Sequence, residues 1–272
     1  MQLHRKQVRV RMNTKNLCER EIRSLLHTSD MQIRIFDEID STNKEARRLA
    51  EQGIDERLLL IARVQTSGRG RMGRDFYSPA DTGIYMTYLW RPDAAAGDVI
   101  SVTTAAAVAV HRALSGMTVL ADKSFSIKWV NDIYLANKKV CGILAEAITD
   151  PQDGKIRYIW IGIGINVVPM VFPDELKNIA GSLDASGLDR NELIANIMNE
   201  LLDIMHDRDC YAHMPYYRKH SMVIGKAVNT ICAEKINSGT VLDIDREGGL
   251  VIERSDGTVE TIHSGEITLR LQ

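Results

Sequence analysis

Hydrophobic and polar positions repeat with two different periods along this chain, and the change of period divides it. Leu17, Ile22, Leu25 and Leu26 fall at helical spacing within residues 15–28, which predicts a short amphipathic helix. A strand follows at 32–36. In "DSTNKEARRLAEQG" Thr42 and Glu45 read as a capping box, Ala46, Leu49 and Ala50 as an apolar stripe, and Gly53 as the stop. The continuous apolar runs at 57–64 and 83–90 read as buried strands. Residues 98–115, rich in Ala and Val, read as a buried helix. Strands then follow at 125–129, in a hairpin over 133–148 turning at Ala136–Lys138, and at 156–167. A long helix is expected over 189–211, with Leu193, Ile194, Ile197, Leu201, Leu202 and Met205 on its buried side.

After residue 220 the period drops to two. Five short β runs alternate with turn signals at Asn237-Ser238-Gly239, Gly248-Gly249 and Asp256-Gly257. About 50 residues of this kind suggest a small β-barrel as a second domain. The expected division is 1–30, a basic tail and short helix; 31–220, an α+β domain with a mixed sheet and flanking helices; and 221–272, the barrel.

Composition changes this picture little. The chain has 272 residues, 44% of them hydrophobic, enough for a substantial core. A net charge of −2 argues against a nucleic-acid partner bound over the whole surface. Cys18, Cys141, Cys210 and Cys232 are scattered without a C-x-x-C pair, which argues against a zinc site or disulfide framework. Reduced thiols fit a cytoplasmic protein. No run approaches the about 18 continuous apolar residues of a membrane span. Residues 1–16 are basic and lack a secretory apolar stretch.

The loop "QTSGRGRMGR" (65–74) carries the strongest chemical signal. Gly68 to Arg74 hold three glycines and three arginines and no acid. The stretch fits G-x-G-x-x-G, but no helix follows to receive a pyrophosphate, so the dinucleotide reading fails. Kinase and Walker A partners are missing as well. A loop with this charge repels itself and is expected to be mobile until an anion orders it. Arginine forks suit phosphate and carboxylate oxygens. Elsewhere, polar or bare residues break apolar strands: Lys128, Asn131 and Asp132; Lys139 and Gly142; Gly162, Gly164 and Asn166. Glycine inside a strand marks close approach of a ligand. Together these residues describe a nucleotide-phosphate site beside an apolar slot.

"DSTNKEA", "QTSGRGRMGR", "FYSP", "KWVND", "KKVCGILAE", "GIGINV" and "GEITLR" resemble the biotin protein ligases in order and spacing, from about residue 33 to 271. The resemblance implies a class II synthetase-like catalytic domain with a C-terminal SH3-like β-barrel. It implies that biotin and MgATP form biotinyl-5′-adenylate, and that the biotinyl group passes to a lysine of a biotin carboxyl carrier protein. Ser41, Thr42 and Asn43 would meet the biotin head group. Gln65, Gly68, Arg69, Gly70 and Arg71 would line the carboxylate side, and Lys139, with Arg71, would act on the reacting anions. Gly142, Ile143, Gly162 and Gly164 would shape the biotin slot. Arg74, Phe76, Lys128, Asn131, Asp132 and Asn166 would serve the nucleotide. Mg²⁺ would arrive with ATP, near Asp132, without a dedicated metal site.

Two positions depart from the family pattern. Val130 stands for the usual proline of "KWPND", and Phe76 for the usual tryptophan after the loop. Only about 30 residues precede the core, which implies the form without an N-terminal DNA-binding domain. A homodimer is compatible with the sequence. The rival readings are a lipoate- or octanoate-protein ligase and a biotin-responsive DNA-binding regulator.

Overall fold

A computed structural model describes residues 16–92, 98–232, 235–263 and 265–269. Most of the expected basic tail lies outside this range. The first elements are α1 (Glu19–Leu25), β1 (Gln32–Ile39), α2 (Thr42–Glu51), β2 (Leu58–Gln65) and β3 (Gly83–Trp90). Next come α3 (Val99–Gly116), β4 (Phe125–Lys128), β5 (Asp132–Leu135), β6 (Lys138–Thr149) and β7 (Ile156–Asn166). Then follow α4 (Arg190–Met205), α5 (Met214–Lys219), β8 (Ala227–Cys232) and β9 (Lys235–Ile244). The last strands are β10 (Leu250–Arg254), β11 (Val259–Ile262) and β12 (Glu266–Leu269).

Seven strands form one sheet in the order β1-β2-β3-β7-β6-β5-β4. β1 and β2 pair in parallel across the α2 crossover, and the other neighbours pair antiparallel. This is the α+β arrangement expected from the sequence. Alternate side chains of one strand leave on opposite faces. Leu59, Ile61, Ile84, Met86 and Ile159 to Ile165 at odd positions join α3 and α4 in the main core. Leu58, Leu60, Leu89, Tyr158 and Trp160 pack instead on Ala46, Leu49 and Ala50 of α2. Burial on both faces explains why β2 and β3 read as continuous apolar runs. α3 is long and apolar enough to cross a membrane by length and composition, but 72% of it is buried here, as a core helix.

Several boundaries differ from expectation. α2 is capped by Ser41, whose hydroxyl accepts from Lys44 N–H at 3.5 Å. Thr42 is already inside the helix, so the Thr42–Glu45 capping box is displaced by one residue. α4 ends at Met205, and α5, unforeseen, follows after a run of turns. In the C-terminal part, Asn237, Ser238 and Gly239 are not a turn. They lie within β9, opposite Thr230, Asn229 and Val228 of β8. The C-terminal unit is a five-stranded antiparallel sheet in the order β11-β10-β9-β8-β12.

The C-terminal sheet rests on the larger domain through specific bonds. Trp129 Nε1 donates to Gly248 O at 2.8 Å, and Gly248 sits against Ile100 and Thr104 of α3. Arg246 pairs with Asp209 at 3.0 Å.

Candidate active site

The α2 face of the sheet is covered only at one end. Beyond α2, the β7 positions on this face become Gly162, Gly164 and Asn166. Gly162 pairs with Thr87 and Leu144, and Gly164 with Tyr85 and Gly142. Gly142 and Gly164 therefore meet side by side as a bare floor two strands wide. A cavity of about 840 Å³ stands on this floor. Every residue assigned above to substrate lines it except Gly68. Gly68 stands behind the wall, where an added Cβ would meet Phe76 O at 2.6 Å and Ser78 Oγ at 2.7 Å.

The polar end is built from the start of α2. Ser41, Thr42 and Asn43 are buried. Gln65 Oε1 accepts from Thr42 N–H at 2.8 Å and from its hydroxyl at 3.1 Å. Thr87 Oγ1 donates to Asn43 Oδ1 at 2.7 Å and lies 2.8 Å from Thr42 Oγ1. Asn43 reaches this depth because Gly162 has no side chain; a Cβ there would collide with the Asn43 amide. Thr87 is a site residue the sequence reading missed, since a threonine inside a strand carries no signal of its own.

Backbone bonds draw the arginine loop into a hairpin. Gly70 N–H donates to Arg74 O at 2.8 Å, and Phe76 N–H to Gly68 O at 2.9 Å. Gln65 closes its neck: its Nε2 donates to Ser78 Oγ at 3.0 Å, and its N–H to Ser78 O at 3.2 Å. At the tip Met72 and Gly73 take φ of 55° and 75°. Arg71 crosses the cavity and donates to Asn131 Oδ1 at 3.2 Å and to Gly265 O of the C-terminal unit at 3.4 Å. The Phe76 ring rests on the bare floor. A Cβ at Gly164 would lie 2.5 Å from it, and one at Gly142 3.2 Å. Tyr85 meets Phe76 edge-on, with centroids 6.4 Å apart.

At the cationic end Lys139 Nζ lies 2.7 Å from Asp132 Oδ1, an ion pair facing the cavity. The pair follows from the β5–β6 hairpin, which sets Asp132 opposite Gly142. Lys128 lies over the Tyr134 ring at 5.4 Å, and burial raises that phenol to about 12. Asn131 Nδ2 donates to Ile143 O at 2.7 Å. Asn166 Nδ2 donates to Gly181 O at 2.9 Å, leaving its buried Oδ1 without a partner among the described residues. The Trp129–Val130 peptide is cis, and Val130 O accepts from the buried Tyr217 hydroxyl at 3.0 Å. The thiol of Cys141, two residues after Lys139 and packed in the main core, is raised by complete burial and takes no part. No cluster of three His, Cys, Asp or Glu side chains occurs among the described residues.

Three further groups of lining residues were not foreseen. Phe172, Leu176 and Ile179 form an apolar rim that follows β7, and Tyr77 meets Phe172 with centroids 6.4 Å apart. Ile231 and Ile267 enter from the C-terminal sheet, and Met222 from the segment before it. Apolar residues in a stretch without regular period give no pattern to read.

A bare floor between a hydrogen-bonding end and a cationic end is an arrangement suited to a small polar-headed acid beside a nucleotide. Comparison with known proteins assigns the class. The profile of the biotin/lipoate A/B protein ligase family matches residues 35–166, and that of the biotin protein ligase C-terminal domain residues 223–270. The bifunctional ligase/repressor BirA of Bacillus spizizenii is 36% identical over 277 residues, covering 98% of this chain and 83% of the relative. The biotin–[acetyl-CoA-carboxylase] ligase of Mycobacterium tuberculosis is 29% identical, covering 87% and 88%. The biotin protein ligase of Aquifex aeolicus, solved in complex with biotin and ATP, superposes with a TM-score of 0.72 at 27% identity. That match covers 89% of this chain and 99% of the other. The chain belongs to the biotin protein ligases.

Proposed function

We infer that this protein joins biotin to the AMP part of ATP, releasing pyrophosphate, and passes the biotinyl group to a lysine of a carrier protein. The carrying observation is one cavity whose glycine floor connects a buried Ser–Thr–Asn end to a Lys–Arg end. The resemblance to ligases named for biotin supports the same reading. Biotin lies with its head group at Ser41, Thr42 and Asn43, and its chain takes the place on Gly164 that the Phe76 ring fills here. Its carboxylate approaches Lys139 and Arg71.

In the first step a carboxylate oxygen attacks the α-phosphorus, and the bond to the β-phosphate oxygen breaks, releasing pyrophosphate. Both reactants are anionic, so the main barrier this site can lower is electrostatic. Lys139 leaves Asp132 and neutralises carboxylate and phosphate together. An ionised carboxylate needs no general base. In the second step a carrier amine attacks the acyl carbon, AMP leaves, and the amine loses a proton. The hairpin loop excludes water from the adenylate meanwhile. Phe172, Ile179 and Asn166 offer the adenine an apolar rim and one oriented acceptor.

Magnesium arrives as MgATP. Hard oxygen donors suit it, and Asp132 is the carboxylate at that end of the cavity. Bound Mg²⁺ would offset the charge of the leaving pyrophosphate. The thiols Cys18, Cys141 and Cys210 are free, consistent with the cytoplasm.

Pyrophosphate release from ATP tests the reading. Release is expected with biotin and not with lipoate. Release with lipoate alone would move the chain to the lipoate branch, and release without any acid would end the reading. Lys139→Ala should slow biotin-dependent release by about a hundredfold or more, with little change in melting temperature.

A further inference from the structure

Just behind the wall of the polar end stands a carboxylate with no part in the chemistry above. Glu146 lies on β6 in register with Trp160 of β7. Its Oε2 accepts from Trp160 Nε1 at 3.1 Å and from Asn43 Nδ2 at 3.5 Å. Its other oxygen, Oε1, is 3.9 Å from Nη1 of Arg69, the first arginine of the loop. One side chain thus faces the polar end with one oxygen and the loop with the other.

A structural role alone would explain only half of this. The Trp160 indole needs an acceptor, and a neutral amide would serve. A carboxylate brings a charge that must be balanced, and the Arg69 guanidinium does so. Arg47 of α2 also lies close enough to feel its charge. The orientation of Asn43 is fixed in the same network. Its Oδ1 is taken by Thr87, so its amide N–H groups turn to Leu144 O and to Glu146.

We propose that Glu146 is a positioning residue that couples occupancy of the polar end to closure of the arginine loop; this rests on the biotin-ligase reading above. A head group that orders Asn43 also orders the Glu146 carboxylate. That carboxylate then holds Arg69 down over the cavity. Glu146 touches neither the substrate nor the reacting atoms.

The readout is the rate at which preformed biotinyl-adenylate leaves the enzyme. Glu146→Gln preserves an oxygen for Trp160 but removes the charge. It should release adenylate about two- to fivefold faster, the range for a partly exposed ion pair, with an unchanged melting temperature. Arg69→Met should accelerate release at least as much. Because the two residues act through one contact, the double variant should release no faster than Arg69→Met. Wild-type release from Glu146→Gln, or effects that multiply in the double variant, would overturn the proposal. Should Glu146→Gln not accumulate as folded protein, Glu146→Asp replaces it, shortening the reach to Arg69; wild-type release from that variant would overturn the proposal equally. A wild-type protein that makes no adenylate from biotin and ATP would defeat the functional reading itself, before any variant is compared.

Discussion

Gly162 decides how deep Asn43 sits, and so where the polar end of the cavity lies. Gly162→Ala would drive a methyl group into the Asn43 amide. Overpacking of this kind costs about 1–3 kcal/mol. Because α2 can relieve it only by withdrawing Asn43, the loss should appear as a biotin KM raised about tenfold or more. Titration of biotin in the pyrophosphate assay measures it, and an unchanged KM would mean that Asn43 does not meet the head group. The glycines, Lys139 and the arginines were legible in the sequence because each is costly in its setting: a bare position in a strand, or charge beside apolar residues. Glu146 and Thr87 were not. A glutamate on a strand reads as a solvated edge and a threonine as an ordinary strand former. Their meaning comes from the neighbouring strand, which only the register reveals.

Among the elements, the strands buried on both faces, β2 and β3, were read to within a residue, while the striped helix α4 ends six residues before its expected end. The misplaced features depend on local competition. Ser41 rather than Thr42 caps α2, because Thr42 is held by Gln65. Asn237-Ser238-Gly239 has turn composition, yet pairing with β8 keeps it in a strand. The turn between β4 and β5 depends on a contact outside its own domain. Trp129→Phe keeps the packing but leaves Gly248 O without its donor. That change should cost about 1–3 kcal/mol, read as a lower urea midpoint. An unchanged midpoint would show that Gly248 O finds another donor.

At the scale of the whole molecule, stability should depend on pH through a buried imidazole. Burial, then the charge of Arg112, lowers His213 from 6.5 to about 4. Its Nε2 lies 2.8 Å from Thr104 Oγ1, while Nδ1 is buried without a partner among the described residues. The unfolded chain therefore binds a proton between pH 6.5 and 4 that the folded chain refuses. The stabilising contribution is complete above pH 6.5 and is lost as pH falls towards 4. The loss should reach about 2 kcal/mol at pH 5. Burial lowers His111 and His220 as well, in the same direction. Urea midpoints at pH 7 and pH 5 measure the slope, and His213→Gln should flatten it. An equal slope in that variant would assign the acid sensitivity elsewhere.

The pairing of β3 with β7 has a consequence for how the protein is made. Gly83 to Trp90 meet Ile159 to Asn166 across a span that includes α3 and three other strands. Most other pairings in the sheet join close neighbours in sequence, which close at little entropic cost. The β7 half of the cavity floor, Gly162 and Gly164, is paired across this distant seam with Thr87 and Tyr85. The polar end comes from residues before β3, and the Lys139–Asp132 pair of the cationic end from residues between β3 and β7. Neither half of the chain holds a binding site alone. A nascent chain would therefore gain affinity for its ligand only after β7 has been synthesised and docked. Ligand added during refolding should slow unfolding rather than speed folding.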